Sequence, residues 1–151
     1  MSPPLKGIHL QNYRNFKSHQ ETFNNNHTLF KGKNAVGKTN ILEAISFLCP
    51  GTGFRKETIQ NLPNIETKQN PAVIEYKFIN ENLSNFLRIE FSMNDDRWSK
   101  QYFLNDKKIQ QQNLLKIFQL FWFTEIDKVY FIKDIQYQRN TINRLACYFE
   151  P

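Results

Sequence analysis

The sequence predicts an α/β fold, and three stretches predict it. The first is "FKGKNAVGKTN" at residues 30–40, which holds Gly32-x-x-x-x-Gly37-Lys38-Thr39, the pattern of a phosphate-cradling loop. The second is its setting: "HTLFKG" (27–32) reads as an apolar strand feeding the loop, and a helix begins inside the motif at Lys38. The third is downstream, where "AVIEYKFI" (72–79), "NFLRIEFSM" (85–93) and "RWSKQYFLN" (97–105) alternate with period two and read as an antiparallel meander with one buried face.

Taken in order, "LKGIHLQNY" (5–13) is a strand, and "ETF" (21–23) followed by "NNN" gives a second strand and a turn. The helix after Lys38 carries Ile41, Leu42, Ala44, Ile45 and Leu48 as one apolar stripe, with Pro50 and Gly51 to stop it. Residues 51–71 are polar and broken by Gly and Pro, which predicts a mobile loop with at most a short helix. Asn105-Asp106 before "KKI" marks a turn of the meander. "QNLLKIF" (112–118) predicts a short helix, "QLFWFT" (119–124) a buried strand, and residues 125–132 and 135–149 two helices. There is no internal repeat and no dividing linker, so the expectation is one domain: a loop-bearing lobe (1–50), the mobile loop (51–71), the β-meander (72–110), then a strand and helices (111–151).

Composition narrows the class. Hydrophobic residues make up 40% and charged residues 23%, which excludes wholesale disorder. Cys49 and Cys147 lie far apart in no metal or redox pattern, as suits a reducing compartment. His9, His19 and His27 have no pair spacing for a metal and are expected on strand faces and in a turn. The start "MSPPLKG" has no apolar leader and no run reaches the roughly 20 residues of a membrane span, so a soluble, cytoplasmic protein without membrane contact is expected. The net charge of +6 permits attraction to nucleic acid, but Lys and Arg are scattered, and a solvated basic surface accounts for them equally well.

The loop motif states its own chemistry. Its glycines let the backbone turn tightly, so that successive N–H groups point at phosphate oxygens, and the following helix adds its positive dipole end. Gly32, Lys33, Asn34, Ala35, Val36, Gly37, Lys38, Thr39 and Asn40 are the expected nucleotide-binding residues. Lys38 would reach the β- and γ-phosphates of ATP, the Thr39 hydroxyl would ligate Mg²⁺, and Asn34 would lend a further polar contact.

The residues around the loop carry a resemblance. "LKGIHLQNYRNFKSHQETF" followed by "FKGKNAVGKTNILEAISFLCPGTGFR" resembles the start of the RecF family of recombination and repair ATPases, relatives of the SMC and Rad50 proteins. The matching residues are Asn12, Arg14, Asn15, Phe16, Asn34 and Asn40 to Ile45, with "FLNDKKI" (103–109) and "FWFTEIDKVYFIKD" (121–134) as weaker matches later. The resemblance implies the N-terminal lobe of an ABC/SMC-like P-loop NTPase, with an antiparallel β-subdomain and C-terminal helices. It implies ATP with Mg²⁺, a homodimer closed around ATP, binding of single-stranded or gapped DNA, and work with RecR to load RecA. It also places Arg14 near the nucleotide phosphates, and Arg55, Lys56 and Arg139 are the candidate DNA contacts.

Departures from the family pattern count as well. An Arg-Arg-Arg-Phe-Leu-Asp run is replaced by Gln138-Arg139-Asn140-Thr141-Ile142-Asn143 before Arg144 and Leu145 resume it, which removes two cations from any polyanion contact. No Leu-Ser-x-Gly-type signature occurs, and the sole apolar run ending in acid is "LFWFTEID" (120–127), where Thr124 intervenes before Glu125 and Asp127. The expected fold is therefore incomplete, with no complete catalytic set. Either "HTLFKG" or "QLFWFT" is expected to show an unpaired edge, with the Ile41–Leu48 helix partly uncovered. Three functions stay open: a RecF-type ATPase of DNA repair, a nucleotide- or DNA-binding module without turnover, and a decayed fragment.

Overall fold

The structure, a computed structural model, describes residues 4–24, 26–68 and 70–149, with residues 126 and 143–149 described by backbone alone. The side chains of Asn143, Arg144, Leu145 and Cys147 and the first three residues thus lie outside the described residues. The chain divides into two compact units, residues 1–118 and 119–151.

The first unit is a six-stranded sheet in the order β2-β1-β3-β4-β5-β6. Its strands are β1 (Leu5–Tyr13), β2 (Phe16–Thr22), β3 (Ala72–Asn80), β4 (Leu83–Asn94), β5 (Arg97–Leu104) and β6 (Lys107–Ile109). Every ladder is antiparallel. The alternation read from the sequence is the reason one face is dry. Ile74, Tyr76 and Phe78 of β3 stand with Leu87, Ile89 and Phe91 of β4, all buried, while Glu75, Arg88 and Glu90 take the other face. Ile8 and Leu10 of β1 extend the same apolar surface opposite Tyr76 and Ile74. Three two-residue turns connect the meander, at Glu81-Asn82, Asp95-Asp96 and Asn105-Asp106. All six residues have positive φ, the backbone sense that matches the strand twist in a tight hairpin.

Helix α1 (Lys38–Ser46) lies on the apolar face. The Tyr76 hydroxyl donates to the Ala44 carbonyl at 2.6 Å, and the Phe47 and Phe91 rings meet at 5.2 Å between centroids. Ile41, Ala44 and Leu48 are buried, but Leu42 is 48% exposed, so the apolar stripe is covered along one side only. The helix ends at Ser46, before Pro50 and Gly51.

The segment 51–71 contains two single 3₁₀ turns, Ile59–Asn61 and Ile65–Thr67. It is stitched to the end of β1. The Arg14 N–H donates to the Leu62 carbonyl at 2.7 Å, and the Asn64 N–H donates to the Asn12 carbonyl at 3.0 Å. The Asn12 amide nitrogen lies 3.2, 2.6 and 3.2 Å from the carbonyls of Thr67, Asn70 and Pro71. After β6 a 3₁₀ helix, Gln111–Lys116, buries Leu114, and Phe118 closes the core edge-on against Phe78.

Two expected strands are absent. Residues 27–32 and 119–124 are irregular, with Leu29 87% and Phe123 51% exposed. A strand exists through its ladder, and among the described residues neither segment belongs to the six-stranded sheet. In the second unit, Thr124 opens helix α2 (Glu125–Lys133) with a capping box. The Thr124 hydroxyl oxygen accepts from the Asp127 N–H at 3.3 Å, and the Asp127 carboxylate accepts from the Thr124 N–H at 2.7 Å. Helix α3 (Ile135–Phe149) follows, with the Asp134 carboxylate accepting from the N–H groups of Gln136 and Tyr137. Among the described residues no helix is long and apolar enough to cross a membrane.

Candidate functional site

The candidate site is the loop between Gly32 and the first turn of α1. Gly37 stands at the helix N-cap with φ +105°, and Ala35 has φ +65°, so the loop coils through the left-handed region twice. Among the described residues no side chain caps α1, and no acidic residue occupies its first turn. The first N–H groups of a helix have no intrahelical acceptor, and here no carboxylate competes for them. With Lys31, Lys33 and Lys38 nearby in sequence and no acid between residues 30 and 40, the local field favours an anion.

Lys38 is folded across the mouth of the loop. Its Nζ donates to the carbonyls of Gly32 at 2.9 Å and Lys33 at 2.6 Å. That geometry ties the start of the loop to its end through one ammonium. Thr39 is exposed in the first turn of α1, and residues 32–36 are all exposed.

The turn between β1 and β2 frames the loop from one side. A Cβ at Gly37 would come within 2.3 Å of Phe16 Cζ and 2.9 Å of Asn15 Oδ1, so these two side chains lie directly on the loop's second glycine. Asn15 Oδ1 also accepts from Asn40 Nδ2 at 2.8 Å, and Asn40 Oδ1 accepts from Arg55 Nη1 at 2.9 Å.

Beneath this frame lies a buried carboxylate. Glu43 is fully buried in α1 and accepts from Arg14 Nε at 2.8 Å, Arg14 Nη2 at 2.6 Å and the Tyr13 hydroxyl at 2.9 Å, while Arg55 Nη1 stands 3.6 Å away. Burial, then the neighbouring Glu43 charge, raises the Tyr13 phenol well above its ordinary value, so it remains a donor. Burial pulls the Arg14 guanidinium down, and the hydrogen bonds and charge of Glu43 more than offset that, leaving it raised. A carboxylate in such a setting is held by charge-assisted, two-point contact.

The predicted residues Gly32 to Asn40 thus form one continuous loop and the first turn of α1. Arg14 is committed to Glu43 and, through Nη1, to the Asn61 carbonyl at 3.0 Å. Arg55 joins the same frame, Lys56 is exposed with φ +56°, and Arg139 is exposed on α3 in the second unit. Glu125 and Asp127 form the acidic first turn of α2. The sequence reading assigned no role to Glu43, Tyr13 or Phe16. The available signal was Glu43 itself: an acid between Ile41 and Ala44, on the buried side of the helix, requires a counter-charge.

A family model described as the RecF/RecN/SMC N terminal domain matches residues 4–126. A DNA replication and repair protein RecF of Rickettsia conorii is 30% identical over 148 residues, covering 97% of this chain and 40% of that protein. The chain thus spans about 40% of the length of the curated relatives it matches. Two solved structures of the recombination mediator protein RecF, described as RecF-ATPrS and RecF-ATP in the RecFOR pathway, superpose with a TM-score of 0.74 each. They share 26% and 24% identity, over 88% and 94% of this chain and 35% and 38% of theirs. The SMC head domain from Thermotoga maritima superposes with a TM-score of 0.53 at 21% identity, over 79% of this chain and 43% of its own, a likeness of fold.

Proposed function

The chain belongs to the family of RecF, RecN and SMC N-terminal domains, and from that membership we propose that it is the nucleotide-binding lobe of a RecF-like DNA replication and repair protein. The observation that carries the nucleotide reading is the conjunction at the loop: Gly37 in the left-handed region, Lys38 across the mouth, and an uncapped helix start without acid. ATP is the ligand we propose, since one solved relative is described with ATP and another with ATPrS. Residues 32–40 would cradle its phosphates, with Lys38 balancing their charge and Thr39 placed for Mg²⁺. Arg14 enters this reading through Glu43: it fixes α1 beneath the loop, and meeting a phosphate would require it to leave that carboxylate.

For the whole protein we propose the DNA replication and repair role that its relatives' name prints. With it we propose what the family resemblance implies: ATP binding with a homodimer closed around it, contact with single-stranded or gapped DNA in the cytoplasm, and work with RecR to assist RecA loading. The basic balance of +6 supports contact with DNA, with Arg55, Lys56 and Arg139 as candidate contacts. The test of the nucleotide reading is calorimetric titration of ATP·Mg²⁺ into the wild-type chain and Lys38→Ala. The variant is expected to lose the binding heat; identical heats for the two proteins would refute the reading.

A further inference from the structure

We propose that a nucleotide held by residues 32–40 seats a purine base in the recess between β2 and the loop, stacked on the imidazole of His19. The proposal rests on the nucleotide reading above and adds where the base goes.

The recess measures about 350 Å³, at the small end of ligand pockets, and is lined by Phe16, His19, Glu21, Leu29, Val36 and Lys38 among others. Of the three recesses described, it alone contains a residue of the phosphate motif. A larger one lies along β1, β2, β3 and β4, and another lies between β1 and α1; neither reaches Lys38.

Its aromatic wall is built in advance. The rings of Phe16 and His19 are stacked, with centroids 4.5 Å apart and planes 22° from parallel. Phe16 is itself pressed on Gly37, so this wall starts where the phosphate loop ends. His19 Nε2 lies 3.1 Å from Glu21 Oε1, which fixes the ring against rotation. A third flat ring added to the stack gains dispersion and excludes water at little ordering cost, because both protein rings are already aligned. Leu29 and Val36 line the recess too and are 87% and 49% exposed, apolar surface that a bound base would cover. Glu21 supplies an acceptor for an exocyclic amine, and a purine offers more stacking area than a pyrimidine.

The test uses two ligands that share phosphates and differ in the base: ATP and inorganic tripolyphosphate, both with Mg²⁺, titrated into the chain. Lys38→Ala is expected to lose both. His19→Ala is expected to weaken ATP on the order of ten-fold and leave tripolyphosphate unchanged, since a base stacked on an aromatic ring contributes about 1–3 kcal/mol. His19→Phe, which keeps a flat ring, is expected to bind ATP as the wild type does. Unchanged ATP affinity in His19→Ala would overturn the base site and leave the phosphate loop standing. Loss of both ligands in His19→Ala and His19→Phe alike would assign His19 to structure and overturn the proposal. A wild-type chain that binds neither ligand would refute the nucleotide reading, and the base site with it.

Discussion

Arg14 grips Glu43 from the side, its Nε on one carboxylate oxygen and its Nη2 on the other, at 2.8 and 2.6 Å. The pair joins the β1–β2 turn to the helix that carries the phosphate loop, and Glu43 has no contact with water. Removing one partner leaves the other buried and uncompensated. Glu43→Ala is expected to cost about 3–5 kcal/mol, against a total of roughly 5–15 kcal/mol for a domain. Urea denaturation of Glu43→Ala, Arg14→Met and the double variant checks this. The double variant should lose clearly less than the sum of the singles, and simple additivity would mean that the two groups are not coupled.

Gly37 is fixed by backbone and by neighbours together. Its φ of +105° strains any other residue, and a Cβ would collide with Phe16. Gly37→Ala is therefore expected to destabilise the chain by more than the ~1 kcal/mol of an ordinary helix-terminal substitution. Adding Phe16→Ala to Gly37→Ala relieves the collision with the ring but neither the 2.9 Å approach to Asn15 Oδ1 nor the φ strain, so it should recover only part of the loss. Full recovery in thermal unfolding would mean that neither backbone strain nor the Asn15 contact contributes.

Asn12 points its amide nitrogen at three carbonyls and accepts from the Thr67 hydroxyl on its other atom. Asn12→Asp puts an acceptor where a donor is required and should cost more than Asn12→Ala, on the order of 1–3 kcal/mol beyond it. Lowering the pH protonates the aspartate and should narrow that gap. A gap independent of pH would locate the cost elsewhere.

The pH dependence has two opposed parts. Burial lowers the Lys100 ammonium to about 8, with Nζ over the rings of Phe47 and Tyr102 and donating to the Gly51 carbonyl. The unfolded chain holds that proton up to about pH 10.4, so between about 8 and there it binds more protons than the native state, and stability rises with pH. Burial raises the phenols of Tyr13, Tyr76 and Tyr102 instead. Above about pH 10 the native state then holds the protons and stability falls. Unfolding free energy is expected to climb from pH 8 towards 10 and drop beyond, with Lys100→Met flattening the climb. A monotonic decline from pH 8 in the wild type would contradict this.

Much of the fold was legible because it is local. The β3–β4–β5 meander follows from period-two alternation, as in Ile74-Glu75-Tyr76, and its last turn from Asn105-Asp106, where φ is positive. The loop was legible because glycine spacing writes backbone geometry directly. What was not legible is non-local. The strand expected at 27–32 depends on a ladder partner, and apolar character alone does not supply one. The frame of Asn15, Asn40, Arg55 and Glu43 joins residues up to 40 positions apart, and each of them read singly is an ordinary polar side chain. Leu42 counted as core by helical spacing, yet it stands half-exposed because the sheet covers only one flank of α1.

The strand order also governs how fast the site can be assembled. Four of the five ladders join strands adjacent in sequence and close over two-residue turns, contacts that form within about 1–10 μs. The exception is β1 against β3, which must bring Gln11 and Val73 opposite each other across everything between them. That excursion contains the phosphate loop and α1. Non-local closure loses chain entropy before any contact repays it, so high contact order at this one junction sets the pace for the unit. The meander can be complete while residues 32–40 are still shapeless. A ligand selecting the finished loop would then act after the slow step: it would retard unfolding and leave the rate of folding as it was.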